Sequence, residues 1–432
     1  MDTIFALATV PGRAAIAILR LSGPATAGIL AGLAGRLPAP REASLRRLRD
    51  TAGAVLDEAI VLWFPGPASY TGEDSAELHL HGGPAVVEGV SAALVSFGAR
   101  PAEPGEFTRR AVLNGRMDLT AAEGVIDLIE AETAAQARQA LRLAGGGLAA
   151  LAEGWAGQLA ALLARQEALI EFEDEGLPGT VEAAVLEALA DLAAEIEERL
   201  INDAGAERVR TGLNVAILGA PNAGKSSLLN ALVGREAAIV SARAGTTRDA
   251  VEARIVLAGL PAVLVDTAGL REAGDDIEAE GVRRALRRGE EAEIVLAVLA
   301  CGTPPDDATL ALIARRPCIL VAGKADLGGF LYPGAIPVSA RTGAGLDDLR
   351  NRLQAEAAAL APQAGAALLA RPRHCAALRD ALGWLREAEA ASLPELRADA
   401  LREARRALGR LTGQVGAEGI LDRIFAEFCI GK

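Results

Sequence analysis

Apolar and polar positions alternate with a short period over the first hundred residues, and the period then changes twice. Ala14–Leu21 (AAIAILRL), Glu58–Phe64 (EAIVLWF) and Ala76–Leu80 (AELHL) predict strands, separated by turns at Pro65-Gly66-Pro67 and Gly82-Gly83-Pro84. Pro84–Phe97 predicts a helix, so residues 1–117 read as a mixed α/β unit. From Thr120 the spacing becomes helical: in Val185–Asn202, Leu186, Leu189, Leu192, Ile196 and Leu200 fall on one face. Helical texture runs to about residue 207, with a break near Glu175–Thr180.

At Leu213 short β-runs begin to alternate with helices: Leu213–Leu218, Glu252–Leu257, Ala262–Val265, Ile294–Leu299, Cys318–Val321 and Ile336–Val338. That alternation predicts a mostly parallel sheet with βαβ crossovers. It ends near Leu360, and residues 370–428 are helical again. The fold class is multidomain, α/β combined with all-α, in four segments: 1–117, 118–207, 208–365 and 366–432. An α/β domain inserted into one helical bundle fits the pattern, and so do two independent helical domains. A length of 432 residues agrees with about three domains.

Composition narrows the partners. The net charge is −13, which argues against gripping nucleic acid through bulk electrostatics. No uninterrupted apolar run approaches the roughly 18 residues of a membrane span, and Met1–Pro11 lacks a basic signal-peptide start, so no membrane association and a cytoplasmic location are expected. Cys301, Cys318, Cys375 and Cys429 are scattered without a CxxC, which fits a reducing compartment and disfavours a zinc site. His79 and His81 share a strand face but lack a third ligand. Only Lys225, Lys324 and Lys432 are lysines among 44 basic residues. A Lys kept in so Arg-rich a chain marks a place where a compact charge on a thin stem is needed.

Gly219-Ala-Pro-Asn-Ala-Gly-Lys225-Ser226 matches GxxxxGK[ST] between an apolar strand and a helix, the setting of a phosphate loop. Backbone N–H groups of Asn222, Ala223, Gly224 and the helix start through Ser227 cradle phosphates. Lys225 reaches the β/γ-phosphates and Ser226 offers its hydroxyl to Mg²⁺. Gly245-Thr246-Thr247-Arg248-Asp249 supplies a switch-loop threonine. Asp266-Thr267-Ala268-Gly269 fits a γ-phosphate sensor at a strand end. Lys324 and Asp326 stand where guanine is read, and Ser339-Ala340-Arg341 forms a base-side loop. Asp326 accepts from guanine N1–H and N2–H₂. These ordered pieces predict a GTPase. Gly323 stands where an asparagine is expected, and restoring Asn is expected to tighten nucleotide binding. Leu270 follows the sensor, so no glutamine there orients water. Asn222, with carbonyls of the Ser241–Thr246 loop, could hold a monovalent cation.

These motifs resemble translation-factor-related GTPases, and the whole chain resembles the MnmE (TrmE) family of tRNA modification GTPases. The resemblance is carried by Pro11-Gly12-Arg13, Ile18–Gly23, Tyr70-Thr-Gly-Glu-Asp74, His81-Gly-Gly-Pro84, Pro104–Thr108, Asn114–Leu119 and the terminal Phe428-Cys-Ile-Gly-Lys432. It implies an N-terminal folate-binding and dimerising domain, a helical domain and an inserted Ras-like G domain. It also implies a homodimer working with the FAD-containing protein MnmG. The pair would place aminomethyl or carboxymethylaminomethyl groups on C5 of the wobble uridine of certain tRNAs. The carbon would come from 5-formyltetrahydrofolate or 5,10-methylenetetrahydrofolate, with GTP/GDP, Mg²⁺ and K⁺ as further ligands.

Carried over residue by residue, the resemblance implies K⁺ contacts at Asn222, Ser241, Arg243 (through its carbonyl) and Thr246, within the nucleotide-contacting run that includes Ala242 and Ala244. Mg²⁺ matches Ser226 and Thr247, and a catalytic role matches Glu278. Folate contacts match Arg20, Glu77, Arg116 and Lys432, with Arg116 in place of the family's usual Lys. Cys429 is a candidate nucleophile or redox group. Two competing readings are a ribosome-assembly GTPase acting as an RNA-binding switch, and a folate-binding scaffold with a degenerate G domain. The GxxG at Gly176–Gly179 lies in an acidic helical break, against the first. The intact Lys225 and Asp266–Gly269 argue against the second.

Overall fold

The computed structural model describes residues 2–172, 179–234, 251–266, 290–302, 305–329, 332–361, 368–414, 424–426, 428 and 431. The chain forms two compact units. One holds Met1–Ile126, Leu143–Leu189 and Gly383–Lys432, the other Asp127–Arg142 and Ala190–Leu382.

The first unit is built on a six-stranded sheet of β1 (Ile4–Leu7), β2 (Ile16–Ser22), β3 (Ser44–Arg49), β4 (Val55–Phe64), β5 (Ser75–His81) and β6 (Arg100–Pro101), in the order β3-β4-β5-β2-β1-β6. All neighbours are antiparallel except β1 and β6. Alternation sorts the faces: Leu19 and Leu21 of β2 and Ala76, Leu78 and Leu80 of β5 are buried with helix residues Leu30, Leu33, Val90 and Leu94. The intervening residues Arg20, Glu77 and His79 face outward. The period-2 signal locates β2, β4 and β5 to within three residues. It misses β1, a four-residue strand, and β3, whose SLRRLR is polar on its solvent side.

Helices Gly147–Glu171 and Pro394–Thr412 pack within this unit. Trp155, Leu159 and Leu162 of the first are buried, as are Leu401, Ala404, Leu408 and Leu411 of the second. Pro394 opens the second helix and Gly413, at φ 83°, ends it in the left-handed conformation that glycine tolerates. Helix Gly147–Glu171 has 25 residues and a mean hydropathy of 1.2 over its most apolar 18, long and apolar enough to cross a membrane. A buried helix of a packed bundle meets the same test, and this one packs Trp155, Leu159 and Leu162 inside the unit. Its polar side pairs with the neighbour through Glu167 and Arg402 at 3.1 Å. Phe425 and Phe428, with ring centroids 5.5 Å apart, bury against Leu119 and Ala122.

The second unit holds β7 (Leu213–Leu218), β8 (Val251–Leu257), β9 (Leu260–Asp266), β10 (Ile294–Ala300), β11 (Ile319–Gly323) and β12 (Ile336–Val338), in the order β12-β11-β10-β7-β9-β8. All pairs are parallel except the β8–β9 hairpin, which turns at Ala258 and Gly259, both at positive φ. Helix-covered parallel strands are apolar on both faces, and β10 shows this: Ile294 to Leu299 are all buried. Chain order reverses at β7, which has β9 on one side and β10 on the other. Loops at the carboxyl ends of such strands form ligand crevices.

Candidate functional site

The phosphate loop leaves β7 at that reversal point. Gly219 has φ 147°, and a Cβ there would run into the Val298 carbonyl, so the loop can lie against β10 only with glycine. Asn222 takes φ 64°, a left-handed conformation that asparagine accepts more readily than most residues. Gly224, at φ 99°, caps helix Lys225–Val233, so the loop leads directly into the helix N-terminus. Lys225 is buried, and its Nζ donates to the Gly219 and Ala220 carbonyls at 2.8 and 2.9 Å. Its ammonium is thus curled over the phosphate cradle. Ser226 and Asn222 are exposed at the loop surface.

Across a cavity of about 660 Å³ lies the segment expected to read a base. The cavity is lined by Gly224, Ser227, Asn230, Lys324, Asp326 and Arg341 among others, a size suited to a small-molecule ligand. Lys324 follows β11 at φ 59°, and its stem passes 3.9 Å from where a side chain on Gly224 would begin. Asp326 is held on both oxygens. Ser339 Oγ donates to Oδ1 at 2.7 Å, and Arg341 Nε donates to Oδ2 at 2.9 Å. The Ser339 hydroxyl first, and Arg341 after it, hold the Asp326 carboxyl below the usual carboxylate range. It therefore lines the cavity as an acceptor-only anion.

The parallel ladder puts Asp266 beside Ile217, at the same sheet end as the phosphate loop. Thr267, Ala268, Gly269, Leu270 and Glu278 lie outside the described residues, as do Ser241, Ala242, Arg243, Ala244, Gly245, Thr246 and Thr247. Gly323 differs from its sequence expectation. A Cβ there would stand 2.8 Å from the Ala223 carbonyl oxygen and 3.2 Å from Val298 Cγ1. The expected gain from an asparagine takes no account of that missing space.

The outer face of the first unit's sheet carries the second constellation. Arg20 and Glu77 are direct partners across β2 and β5. Arg20 donates to Glu77 Oε1 through Nε at 3.2 Å and NH2 at 2.9 Å. His79 lies two residues on along the same face, its Nε2 3.3 Å from Glu77 Oε2. Burial pushes the Glu77 carboxyl up, but the Arg20 bonds prevail and leave it below its ordinary value. The Arg20 guanidinium stands 5.7 Å over the Tyr70 ring, and Tyr70 Oη lies 2.8 Å from Thr108 Oγ1. Burial raises the Tyr70 phenol.

Arg116 is exposed, with its stem lying along Gly72 in the Tyr70–Asp74 loop, and Asn114 Nδ2 donates to the Thr71 carbonyl at 2.7 Å. Lys432 and Cys429 lie outside the described residues. Gly431 is buried at φ 101°, pressed against the Leu7 carbonyl so closely that a Cβ would collide. Leu7 adjoins Ala6, the register partner of Arg20. Sequence reading passed over Tyr70 and His79 as contributors here. The i, i+2 spacing from Glu77 was the available signal for His79. His81 is engaged elsewhere, its Nδ1 2.7 Å from the buried Asp57 carboxylate.

Two family models and a set of full-length relatives match this chain. Residues 3–116 match the family model "GTP-binding protein TrmE N-terminus", and residues 119–429 match "MnmE helical domain". Proteins named tRNA modification GTPase MnmE are similar over the full length. The one from Granulibacter bethesdensis is 54 % identical, covering 100 % of this chain and 99 % of its own. That of Gluconacetobacter diazotrophicus is 55 % identical over 99 % and 98 %. That of Acidiphilium cryptum is 52 % identical over 100 % and 99 %.

Proposed function

The chain belongs to the MnmE family of tRNA modification GTPases, and from that premise we propose that its GTP hydrolysis serves the modification of C5 of the wobble uridine (U34) in certain tRNAs. It does so with the FAD-containing partner MnmG and a tetrahydrofolate one-carbon unit, yielding aminomethyl or carboxymethylaminomethyl groups. The observation that carries the hydrolytic half is the single cavity joining Gly224 and Lys324 to Asp326. It gives one ligand both a phosphate cradle and a guanine-type acceptor.

Ser226, exposed at the helix start, fits a hydroxyl ligand for Mg²⁺, with Thr247 as its second protein ligand. Asn222, exposed at the loop tip, fits one oxygen of a K⁺ site completed by Ser241, Arg243 and Thr246. Such a cation supplies positive charge against charge developing on the γ-phosphate. Lys225 orients the phosphates, Asp326 selects the base, and Glu278 is the proposed catalytic carboxylate.

Folate recognition is supported by the Arg20–Glu77 pair beside Tyr70, with Arg116 one loop away and the tail at Leu7. A carboxylate held ionised can accept from the N–H groups of a pterin-type ring. Homodimerisation through this domain is supported by the same sheet face: Leu45, Ile60, His79 and Ile18 stand in one cross-strand row, with Leu45 61 % and Ile60 42 % exposed. The domain plan 1–117, 118–207, 208–365 and 366–432 and a cytoplasmic location belong to the same proposal. Mass analysis of wobble uridines from a strain lacking this gene tests it. Loss of the C5 substituents is expected, and an unchanged set would overturn the reading.

A further inference from the structure

We propose that Gly323 positions the phosphate loop: by having no side chain, it lets the Ala223 carbonyl settle against the end of β11. This deepens the GTPase reading and rests on it. Two glycines bracket the loop. Gly219 admits it toward the Val298 carbonyl on β10, and Gly323 admits it toward β11, with the Val298 side chain 3.2 Å from the same absent Cβ. Ala223 between them is only 1 % exposed. The strand ladder continues through this point, since Cys301 N–H donates to the Gly323 carbonyl at 3.0 Å.

The backbone at Gly323 lies outside the positive-φ region, so it would accept a side chain, and only space forbids one. The atom in the way is a backbone carbonyl of the nucleotide cradle, which cannot swing aside as a side-chain tip does. Any side chain at 323 therefore pushes the loop outward and disturbs the N–H groups that hold the β-phosphate. In this chain the two loops are joined by close backbone approach and by the Lys324 stem beside Gly224. Guanine selection rests on Asp326 with Ser339 and Arg341.

The test compares the full-length protein with Gly323→Ala and Gly323→Asn, titrating GDP and GMP by calorimetry or by displacement of a fluorescent GDP. Both variants share the obstructing Cβ, so both are expected to bind GDP about tenfold more weakly, as overpacked sites do. GMP lacks the β-phosphate and should lose less, so the GDP-to-GMP affinity ratio shrinks. A general loss of structure would weaken both ligands equally and leave that ratio unchanged, which overturns the proposal. GDP binding by Gly323→Asn at or above the unsubstituted level also overturns it, because an asparagine tie would then be the stronger effect. Should Gly323→Asn fail to fold, the smaller Gly323→Ala decides. If the unsubstituted chain binds no GDP, it is the GTPase reading that fails.

Discussion

The nucleotide cavity and the outer sheet face of the first unit gather charged groups by opposite means. In the cavity, each element is a continuous stretch: Gly219–Ser226 is one loop, and Lys324 and Asp326 lie two residues apart. Most of the groups proposed to bind there are backbone N–H, so side-chain identity matters mainly where only glycine fits or a lysine is needed. On the sheet face, Arg20 and Glu77 are 57 residues apart and meet only because β2 and β5 pair in one register. A one-residue slip of either strand would turn its member of the pair into the core. The first site depends on local geometry and close approach, the second on the pairing of the whole sheet.

The largest effect is expected from the tail, which would sharpen the contrast by acting on one site alone. Gly431 sits on the Leu7 carbonyl, next to the register partner of Arg20. Gly431 is buried there, so the segment that carries it is held close against β1. Deleting Cys429–Lys432 is expected to abolish 5-formyltetrahydrofolate binding and tRNA modification while leaving intrinsic GTP hydrolysis nearly intact. Equilibrium binding and GTP turnover on the same preparation check this. Normal folate affinity in the deletion would remove the tail from the site.

The next effect belongs to the cavity. If Asn222 contributes to a K⁺ site, replacing K⁺ by Na⁺ should lower GTP turnover by about a hundredfold, the order seen when one well-aimed transition-state donor is lost. Asn222→Ala should erase the difference between the two salts, and folate binding should follow neither change. Equal turnover in K⁺ and Na⁺ would reject the cation site.

What could be read beforehand follows the same division. The phosphate loop, the Asp266 strand end and the Lys324–Asp326 pair stand out in the sequence because each is short and contiguous. The strands β7 and β12 begin and end where apolar spacing puts them, since buried parallel strands are apolar runs bounded by turns. The antiparallel β8–β9 pairing was not legible, because alternation says nothing of strand direction. The crowding at Gly323 was equally hidden: it depends on how closely β11 approaches a loop a hundred residues earlier. Arg20 and Glu77 by themselves are ordinary outward strand residues. Only the resemblance singled them out, and only the register shows them as partners.

The smallest expected effect bears on that register and on pH. Glu77→Gln keeps the side chain's size but removes the charge that Arg20 and His79 face. A hydrogen bond to a charged group contributes roughly 1.5–3 kcal/mol, and the two side chains are about one-fifth exposed, so a loss near the lower end is expected. The Glu77 carboxyl titrates below its ordinary value of 4.5 in the folded chain. Its contribution is therefore complete above 4.5, where the unfolded carboxyl is also ionised, and fades as the pH falls through the lower folded value. Thermal melting of the two proteins should show the full gap at neutral pH and a closing gap in acid. Folate affinity at neutral pH should fall about tenfold, since one charge-assisted contact is lost. GDP affinity should not change, because no part of the nucleotide cavity involves this pair. A melting gap that stays constant into acid would mean that the carboxylate's charge is not what joins β2 to β5 at this point, and the sheet face would then differ from the cavity less than its geometry implies.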